Sequence, residues 1–401
     1  MTPTDGPRSA DLPSPAAPSV ADEAALGTGA YVHLPFCARV CPYCDFAVVA
    51  GRDDVMDRYL DAVEAEVAAD APIGRLDAVF IGGGTPSRVP PPRIERLLAA
   101  LAATHGLHPG AEITLEANPE DWDPGTAEAM VTAGVNRVSF GAQSTDPRVL
   151  AALGRRHGPR EIGAALGHAR AAGIGSVSVD LIFGHPVETE ASWRRTLDEV
   201  VELGPDHVST YALTVERGTE LSRTVAAGAP APDPDTQAAR WEVAADVLAT
   251  AGLIRYEVSN HARPGHPCRY NLGVWGRGAY AAYGLGAHGH RDGIRRRNVR
   301  SLDAYLERIE AGADPSAGTE SVAGWDAEVE RVFLGLRRTA GVVAGPAGTA
   351  FLAGPTGRGL LEAGVVGLDG DRLVVRRPLL TDAVAREVLG TPAPSRTTAV
   401  E

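Results

Sequence analysis

The stretch Tyr31-Val-His-Leu-Pro-Phe-Cys37-Ala-Arg-Val-Cys41-Pro-Tyr-Cys44 is the most informative part of this 401-residue chain. A short β-rich run leads directly into three cysteines, which are separated by three and then by two residues. This spacing lets three sulfurs converge on one small metal cluster, and soft sulfur ligands suit iron–sulfur and zinc sites. We therefore predict Cys37, Cys41 and Cys44 as ligands of a four-iron cluster with one iron open to a small molecule.

The fourth cysteine, Cys268, lies more than 220 residues downstream of Cys44. Structural zinc prefers four ligands, typically from paired C-x2-C units. A zinc site completed by Cys268 or by a histidine remains an alternative to the cluster, as do unrelated buried thiols. Either alternative would make the protein a structural or zinc-binding scaffold.

The composition limits the chemistry further. The chain is 44% hydrophobic and 22% charged, and all 38 of its basic residues are arginine. A Walker-A phosphate loop, a pyridoxal Schiff base and a lysine-based aldolase each need an ε-amino group, so these chemistries are excluded. The net charge of −13 argues against nucleic acid or an acidic membrane surface as the main partner. No run approaches the roughly 18 apolar residues of a transmembrane segment.

The two ends of the chain differ from the rest. Residues 1–28 contain five prolines among small and polar residues, without an apolar stripe or a secretory signal, and residues 391–401 are similar in character. We predict both segments to be disordered tails. Without a secretory signal, we expect a cytoplasmic protein whose thiols stay reduced.

Between the tails, short β-rich runs alternate with amphipathic helical segments. Strand–helix units that repeat along the chain imply right-handed crossovers and a parallel sheet. Six units are enough for a partial barrel but fewer than the eight of a closed one. We therefore predict an α/β fold with a partial (β/α)6 TIM-like barrel and its extension over residues 29–298. The six runs are Ala30–Pro35, Ala78–Gly82, Glu112–Ala117, Arg137–Gly141, Ser176–Phe183 and His207–Leu213.

Residues 299–390 are predicted to form a small α+β domain. Apolar residues between 329 and 336 fall at helical spacing, and Gly359–Ala363 indicates a second short helix. An Asp369-Gly370 turn before Arg372–Arg376 is typical of a hairpin, so the domain is expected to be winged-helix-like. Residues 325–401 carry nine acidic and nine arginine residues, whereas a DNA-reading wing normally lies on a basic surface. We expect no nucleic-acid partner and a role in packing or in covering a substrate.

Polar side chains follow the ends of the predicted strands. In parallel α/β folds, ligands gather at the carboxyl ends of the strands. The second run ends in Gly82-Gly-Gly-Thr-Pro86, whose glycines permit close backbone approach and leave N–H groups available. Further polar residues recur at or just after later strand ends, namely Glu116, Gln143, Arg155 and Asp180.

Taken together, these motifs resemble the radical S-adenosylmethionine (SAM) superfamily. In that superfamily SAM chelates the open iron through its amino and carboxylate groups, and the reduced cluster cleaves SAM to a 5′-deoxyadenosyl radical. The resemblance implies a partial parallel barrel, a [4Fe-4S] cluster and bound SAM. It also implies that Tyr31 lies near SAM and the cluster, that Gly83, Gly84 and Thr85 face the methionine end, and that Glu116, Gln143, Arg155 and Asp180 complete the site.

A closer resemblance is to the coproporphyrinogen dehydrogenase group and, within it, to the HemW-type heme chaperones. This resemblance covers about residues 29–390. The strings similar to the wider group are Tyr31–Cys37, Gly82–Pro86, Gly141–Ser144 and Asp180–Pro186, and those similar to the chaperones are Cys44–Phe46, Tyr256–Asn260 and Cys268–His288.

Two functions are implied by this resemblance. A chaperone would bind heme and transfer it to an acceptor protein, with the cluster and SAM in a regulatory or assembly role. The alternative is oxygen-independent oxidative decarboxylation of coproporphyrinogen III to protoporphyrinogen IX. The dehydrogenases carry a further cysteine two residues after the third ligand, where this chain has Phe46, and a long ordered N-terminal segment. Both differences favour the chaperone.

Several residues remain candidates for the heme ligand. The chaperones usually carry His-Asn-x-x-Tyr-Trp, in which the histidine is implicated in heme binding, whereas this chain reads Tyr270-Asn-Leu-Gly-Val-Trp275. Tyrosinate ligates ferric heme in catalase, so Tyr270 is one candidate. The basic run 290–300 is either a solvated loop or a clamp for heme propionates, because guanidinium groups match carboxylates. The other candidate ligands are His261, His266, His288 and Cys268.

Overall fold

A computed structural model describes residues 27–394. Of the predicted tails, 1–28 and 391–401, residues 1–26 and 395–401 lie outside the described residues. No described helix is long and apolar enough to cross a membrane. The strands in chain order are β1 (Gly29–Leu34), β2 (Phe36–Cys37), β3 (Val49–Ala50), β4 (Leu76–Gly83), β5 (Leu107–Ala117), β6 (Arg137–Gln143), β7 (Ser176–Phe183), β8 (His207–Ala212), β9 (Ile254–Arg255), β10 (Asn260–Ala262), β11 (Tyr280–Tyr283), β12 (His288–Arg291), β13 (Ile294–Asn298), β14 (Ser316–Ser321), β15 (Val342–Val343), β16 (Val366–Asp369) and β17 (Arg372–Val375).

The α-helices cover the sheets and connect their strands. In chain order they are α1 (Met56–Ala69), α2 (Pro91–His105), α3 (Pro124–Thr132), α4 (Pro147–Ala152), α5 (Pro159–Ala172), α6 (Glu190–Glu202), α7 (Glu220–Ala226), α8 (Pro234–Thr250), α9 (Arg269–Trp275), α10 (Leu302–Glu310), α11 (Gly324–Gly335), α12 (Gly345–Ala353), α13 (Pro355–Glu362) and α14 (Thr381–Leu389).

One twelve-stranded sheet organises most of the chain. Strands β1, β4, β5, β6, β7 and β8 pair in that order and are all parallel. This arrangement confirms the predicted α/β fold with a partial (β/α)6 barrel. The other edge of β1 pairs in parallel with β11, from which β12, β13 and β14 continue antiparallel. At the opposite side, β10 and β9 extend β8 in antiparallel pairing.

The dipeptide Asp-Pro begins three of the helices. Asp123, Asp146 and Asp233 each accept a hydrogen bond from a backbone N–H in the first turn, at 2.7 to 2.8 Å. The prolines that follow occupy the first helical position, where a missing N–H leaves no partner unsatisfied. Caps of this kind contribute about 1 kcal/mol each to helix stability. They therefore fix where each of these helices begins.

A second hydrophobic core lies near the C-terminal end of the described chain. It joins α11–α14 to a three-stranded antiparallel sheet in the order β15-β17-β16, with Val332, Leu373 and Val388 fully buried. Helix α12 has no recognisable signature in the sequence, because its small residues form no apolar stripe. The residues of α10 pack on the first core, and the first residue of the second core is Val329. The domain boundary at residue 299 and the winged-helix-like description stay predictions.

Candidate cofactor site and a neighbouring cavity

Cys37 ends the short strand β2, and Cys41 and Cys44 follow it; residues 37–44 are here called the cysteine loop. Tyr43 anchors this loop by packing against a small apolar cluster beside α4 and β7. Pro42 lies against Gly154 at the end of α4, where an added Cβ would come within 2.7 Å of the proline ring. The carbonyl oxygen of Pro42 accepts a hydrogen bond from Leu221 N at 2.8 Å. The loop is therefore held from two sides.

All three thiols of the cysteine loop line a cavity of about 490 Å³, here called the first cavity. Thr85 Oγ1 donates to Cys37 Sγ at 3.6 Å, and Arg155 Nη1 donates to Cys41 Sγ at 3.7 Å. Burial raises the pKa of the Cys37 thiol and raises that of Cys44 to about 11. Protons must therefore leave these thiols when a metal binds, and nearby donors offset the resulting negative charge.

The arrangement of these thiols suits a cluster better than a single ion. Within residues 27–394, no three His, Cys, Asp or Glu side chains are close enough together to hold one metal ion. A [4Fe-4S] cluster binds each thiolate to a different iron, so its ligands lie further apart than those of one zinc ion. The donor set of three thiols at one cavity thus fits an iron–sulfur cluster.

Cys268 lies at the opposite end of the barrel strands. It directly precedes α9, where Arg269 N donates to Glu112 Oε1 at 2.9 Å. Through the strand register, Glu112 is level with Gly29 at the start of β1, whereas Cys37 follows the end of β1. The fourth thiol therefore lies outside the first cavity.

The segment Gly82–Pro86, here called the glycine loop, packs directly against the residues that lead into the cysteine loop. Gly84 N donates to Leu34 O at 2.8 Å. An ideal Cβ on Gly84 would lie only 2.6 Å from the carbonyl carbon of Pro35. Gly83 has a φ of 115°, in a region that residues with side chains rarely adopt. Glycine at both positions permits the close approach of the two loops.

Two buried carboxyl groups face the first cavity from neighbouring parts of the sheet. Glu116 Oε2 accepts a hydrogen bond from Gly83 N at 3.0 Å, and Asp180 accepts from Ser139 Oγ at 2.9 and 3.0 Å. Burial raises the pKa of Glu116 to about 7 and also raises the pKa of Asp180. A cationic ligand beside these groups would lower both pKa values and would itself be bound more tightly.

Arg155 and Gln143 complete the wall beside β6. An irregular register between Phe140 and Gln143 accompanies a φ of 66° at Gln143. Arg155 Nη2 donates to Gly141 O at 2.8 Å and to Asn118 Oδ1. Its buried Nε has no hydrogen-bond partner in the described part of the chain. Arg155 therefore keeps a donor with which it could bind an anionic ligand group.

Every cofactor-binding residue predicted from the sequence lines the first cavity, except Tyr31. Tyr31 instead lines a neighbouring cavity, and its hydroxyl is 3.0 Å from His33 Nδ1. A role of Tyr31 beside SAM stays a prediction. Ser139 and Tyr211 also line the first cavity, although neither was predicted from the sequence. Side chains along a strand alternate between the two faces of the sheet, and Ser139 and Tyr211 lie on the same face as Asp180. Both residues could therefore have been predicted from their strand positions.

A second cavity, of about 540 Å³, opens beside the first. Three aromatic rings form one side of it, here called the aromatic wall: Tyr31, Phe80 and Tyr270, with ring centroids 5.3 to 6.2 Å apart. Aromatic rings at these separations pack favourably against one another and against planar ligands. The residues that line both cavities are Asp45, Phe46, Gly83, Glu116 and Tyr211.

Of the five candidate heme ligands, Tyr270 and His288 line the second cavity. Asn260 of β10 also lines it, so the next residue, His261, points to the opposite face of the sheet. Both ring nitrogens of His261 are buried without a hydrogen-bond partner in residues 27–394, and burial lowers its pKa to about 3. His266 and Cys268 lie at the amino ends of the strands, away from the cavity.

The basic run 290–300 is divided between ion pairs and the second cavity. Arg300 lines the second cavity, and its Nη2 donates to Asp45 O at 2.7 Å. Arg297 lies opposite His288 in the β12–β13 register. The arginines of the run that are already paired with carboxylates are Arg291 with Asp70 at 3.2 Å, Arg295 with Glu330 at 2.6 Å and Arg296 with Asp314 at 2.5 Å.

The fold and the three-thiol site agree with a known class of proteins. The sequence pattern of the Radical SAM superfamily matches residues 31–200, so this part of the chain is a radical SAM domain. The solved structure of coproporphyrinogen III oxidase (HemN) from Escherichia coli, described as a Radical SAM enzyme, superimposes with a TM-score of 0.77. The match covers 93% of each chain at 22% sequence identity, which shows a shared fold.

Curated relatives define the family more narrowly. The heme chaperone HemW of Mycobacterium tuberculosis (strain H37Rv) is 41% identical over 375 residues, which are 90% of this chain and 95% of the relative. The heme chaperone HemW of Bacillus subtilis (strain 168) is 33% identical over 78% of this chain and 84% of its own. This chain belongs to the HemW family.

Proposed function

We propose that this protein is a heme chaperone, which binds a [4Fe-4S] cluster, SAM and heme and transfers the heme to an acceptor protein. The observation that carries the proposal is the 41% identity to a heme chaperone across 95% of that relative's length. Two adjoining cavities with different linings support it, because a cluster with SAM and a tetrapyrrole need separate binding surfaces.

In this proposal, the first cavity holds the cluster and SAM. Cys37, Cys41 and Cys44 bind three irons of the cluster, and the bound cluster supplies an open iron position for SAM. Arg155 binds the methionine carboxylate, since its Nε is a buried donor without a partner among residues 27–394. Glu116 binds the amino group or a hydroxyl group of SAM.

The second cavity holds the heme. Its volume lies within the range of about 300–1,000 Å³ that is usual for small-molecule sites. The aromatic wall supplies apolar contact for a planar macrocycle. Arg300 lines the cavity and Arg297 lies opposite His288 on the neighbouring strand, so we assign the clamp for the heme propionates to these two arginines. Arg291, Arg295 and Arg296 are already paired with carboxylates and take no part in this clamp.

The proposed partner is a protein with an empty heme-binding site that accepts the heme, and the proposed location is the cytoplasm.

Contact between the first cavity and the second cavity supports a regulatory role for SAM. Asp45 and Phe46 follow the last cluster cysteine directly and line both cavities. Changes at the cluster therefore reach the wall of the heme cavity through two residues of backbone.

Hemin titration of the anaerobically reconstituted protein tests this proposal. We expect a Soret band that saturates at one heme per chain, followed by transfer of that heme when apomyoglobin is added as a model acceptor. A matched sample without the cluster measures how far transfer depends on it. Parallel incubation with coproporphyrinogen III, SAM and a reductant tests the alternative activity. Formation of protoporphyrinogen IX, or failure to bind hemin, would overturn the chaperone assignment.

A further inference from the structure

We infer that His288 is the side chain that coordinates the iron of heme in the second cavity. The inference rests on the proposed heme-binding function and names the residue of this chain that performs it. His288 begins β12 and is exposed at the cavity lining. Its imidazole has no hydrogen-bond partner among residues 27–394, so both ring nitrogens are available.

The other histidine that lines the second cavity is already engaged on both nitrogens. His33 Nδ1 lies 3.0 Å from the hydroxyl of Tyr31, and its Nε2 lies 2.8 Å from Ala47 O. The side chain is also buried, with 6% of its surface exposed. Binding iron would require His33 to give up at least one of these hydrogen bonds inside the protein.

Tyr270 also lines the second cavity, but its surroundings make it a poor ligand for heme iron. Its ring is enclosed by three aromatic neighbours, Tyr31, Phe80 and Tyr280. Burial raises the pKa of Tyr270 well above its ordinary value, so the phenolate that binds ferric iron is strongly disfavoured. The geometry suits a packing role in the aromatic wall.

The strand register places His288 two strands away from Tyr31 of the aromatic wall. Tyr31 pairs with Ala282 of β11, and the antiparallel pairing of Tyr280 with His290 puts His288 next to Ala282. Tyr31 and His288 thus stand in one row on the same face of the sheet, two strands or about 10 Å apart. Both side chains line the second cavity, so one ligand there can contact the aromatic wall and His288 together.

Charges around His288 match both parts of a heme. Partial burial and the neighbouring Arg297 and Arg300 lower the pKa of His288, which favours the neutral imidazole, the form that binds a metal. The same two guanidinium groups suit the propionates of heme. A carboxylate-bearing iron porphyrin therefore meets an imidazole and the guanidinium group of Arg300 in one cavity.

The test compares hemin binding by the anaerobically reconstituted wild-type protein and by His288→Gly. Replacing a residue that hydrogen-bonds to a metal-binding histidine weakens metal affinity about 10- to 100-fold. Removing the histidine itself should cost at least as much, so we expect His288→Gly to bind hemin at least about tenfold more weakly. Its absorption and electron paramagnetic resonance spectra should lose the features of imidazole-bound heme. Added imidazole should enter the space left by the side chain and restore those features, which no purely structural role predicts.

Two further variants separate the possible outcomes. His266→Gly is the matched control, because His266 lies at the amino ends of the strands, and its spectra should equal those of the wild type. Unchanged spectra in His288→Gly, with a changed spectrum in Tyr270→Phe, would overturn the ligand assignment and leave the heme function intact. Failure of the wild-type protein to bind hemin would overturn the proposed function as well.

Discussion

Replacing Gly84 by alanine probes the contact between the glycine loop and the chain that leads into the cysteine loop. An ideal Cβ at Gly84 lies 2.6 Å from the carbonyl carbon of Pro35 and 2.8 Å from Phe36 O. Ordinary contact for a Cβ begins at 3.4 Å, so the two segments must separate by about 0.8 Å. The opposing atoms belong to the backbone and cannot rotate away as the end of a flexible side chain could.

A separation of this size weakens two hydrogen bonds, from Gly84 N to Leu34 O at 2.8 Å and from Thr85 N to Phe36 O at 2.9 Å. Each contributes about 1 kcal/mol, and overpacking itself costs about 1–3 kcal/mol. We expect Gly84→Ala to lower the free energy of unfolding by about 2–4 kcal/mol. The iron content should also fall, because Thr85 holds the thiol of Cys37 from the same loop.

Urea unfolding of the metal-free protein measures the first effect, and iron and sulfide analysis after anaerobic reconstitution measures the second. Gly167→Ala is a matched control, because Gly167 lies within α5 and an added Cβ meets nothing within 4 Å. Alanine should stabilise that helix by about 0.5–1 kcal/mol and leave the iron content unchanged. If Gly84→Ala unfolds like the wild type and retains all its iron, the close approach of the two loops does not position the site.

Three further substitutions test other parts of the structure. Alanine at any one of the three cysteines of the cysteine loop should remove most of the iron, because each thiol binds a different iron of one cluster. Cys268→Ala should retain the iron. Iron and sulfide analysis measures both effects, and loss of iron in Cys268→Ala would contradict the assignment of the cluster to the cysteine loop. Arg300→Gln should weaken hemin binding and leave SAM binding unchanged in calorimetric titrations, since Arg300 lines the second cavity only; an unaltered hemin titration would reject the propionate clamp. Burial raises the pKa of Glu188 to about 7, so between about pH 4.5 and pH 7 the native carboxyl group keeps a proton that the unfolded chain releases. The stability of Glu188→Gln relative to the wild type should therefore increase as the pH rises through this window. Urea unfolding at pH 5 and pH 8 measures the difference, and parallel pH profiles of the two proteins would contradict it.

The parallel barrel was predictable because its signals are local. Each of the six strands is a short apolar run followed by a helix, and the run predicted at Ser176–Phe183 coincides with β7. The strand β11 was not predictable, because its four residues lie between glycine-rich segments and show no distinct pattern. Helix α12 was missed for a related reason, since small residues give a helix no apolar face to recognise.

The two cavities differ in how far the sequence could predict them. Cysteine spacing and strand ends indicate the first cavity, because ligands gather where parallel strands end. The second cavity forms where β1, α9 and β12 come together. No local sequence pattern indicates that these three distant segments are neighbours. His261 and His288 are equivalent candidates in the sequence. Their strands present them to different surroundings, so only the three-dimensional arrangement separates them.

The position of β11 also has a consequence for how the chain folds as it leaves the ribosome. Gly29 of β1 pairs with Tyr280, which is synthesised 251 residues later. Until then, one edge of the first strand has no neighbour from β11 and its backbone donors and acceptors stay open to other chains. Pairings between residues so distant in sequence form slowly, and nascent chains with open edges aggregate readily. Nascent chains that end before residue 280 should therefore depend on molecular chaperones for folding. Chains that extend past residue 283 contain β11, which pairs with the open edge of β1.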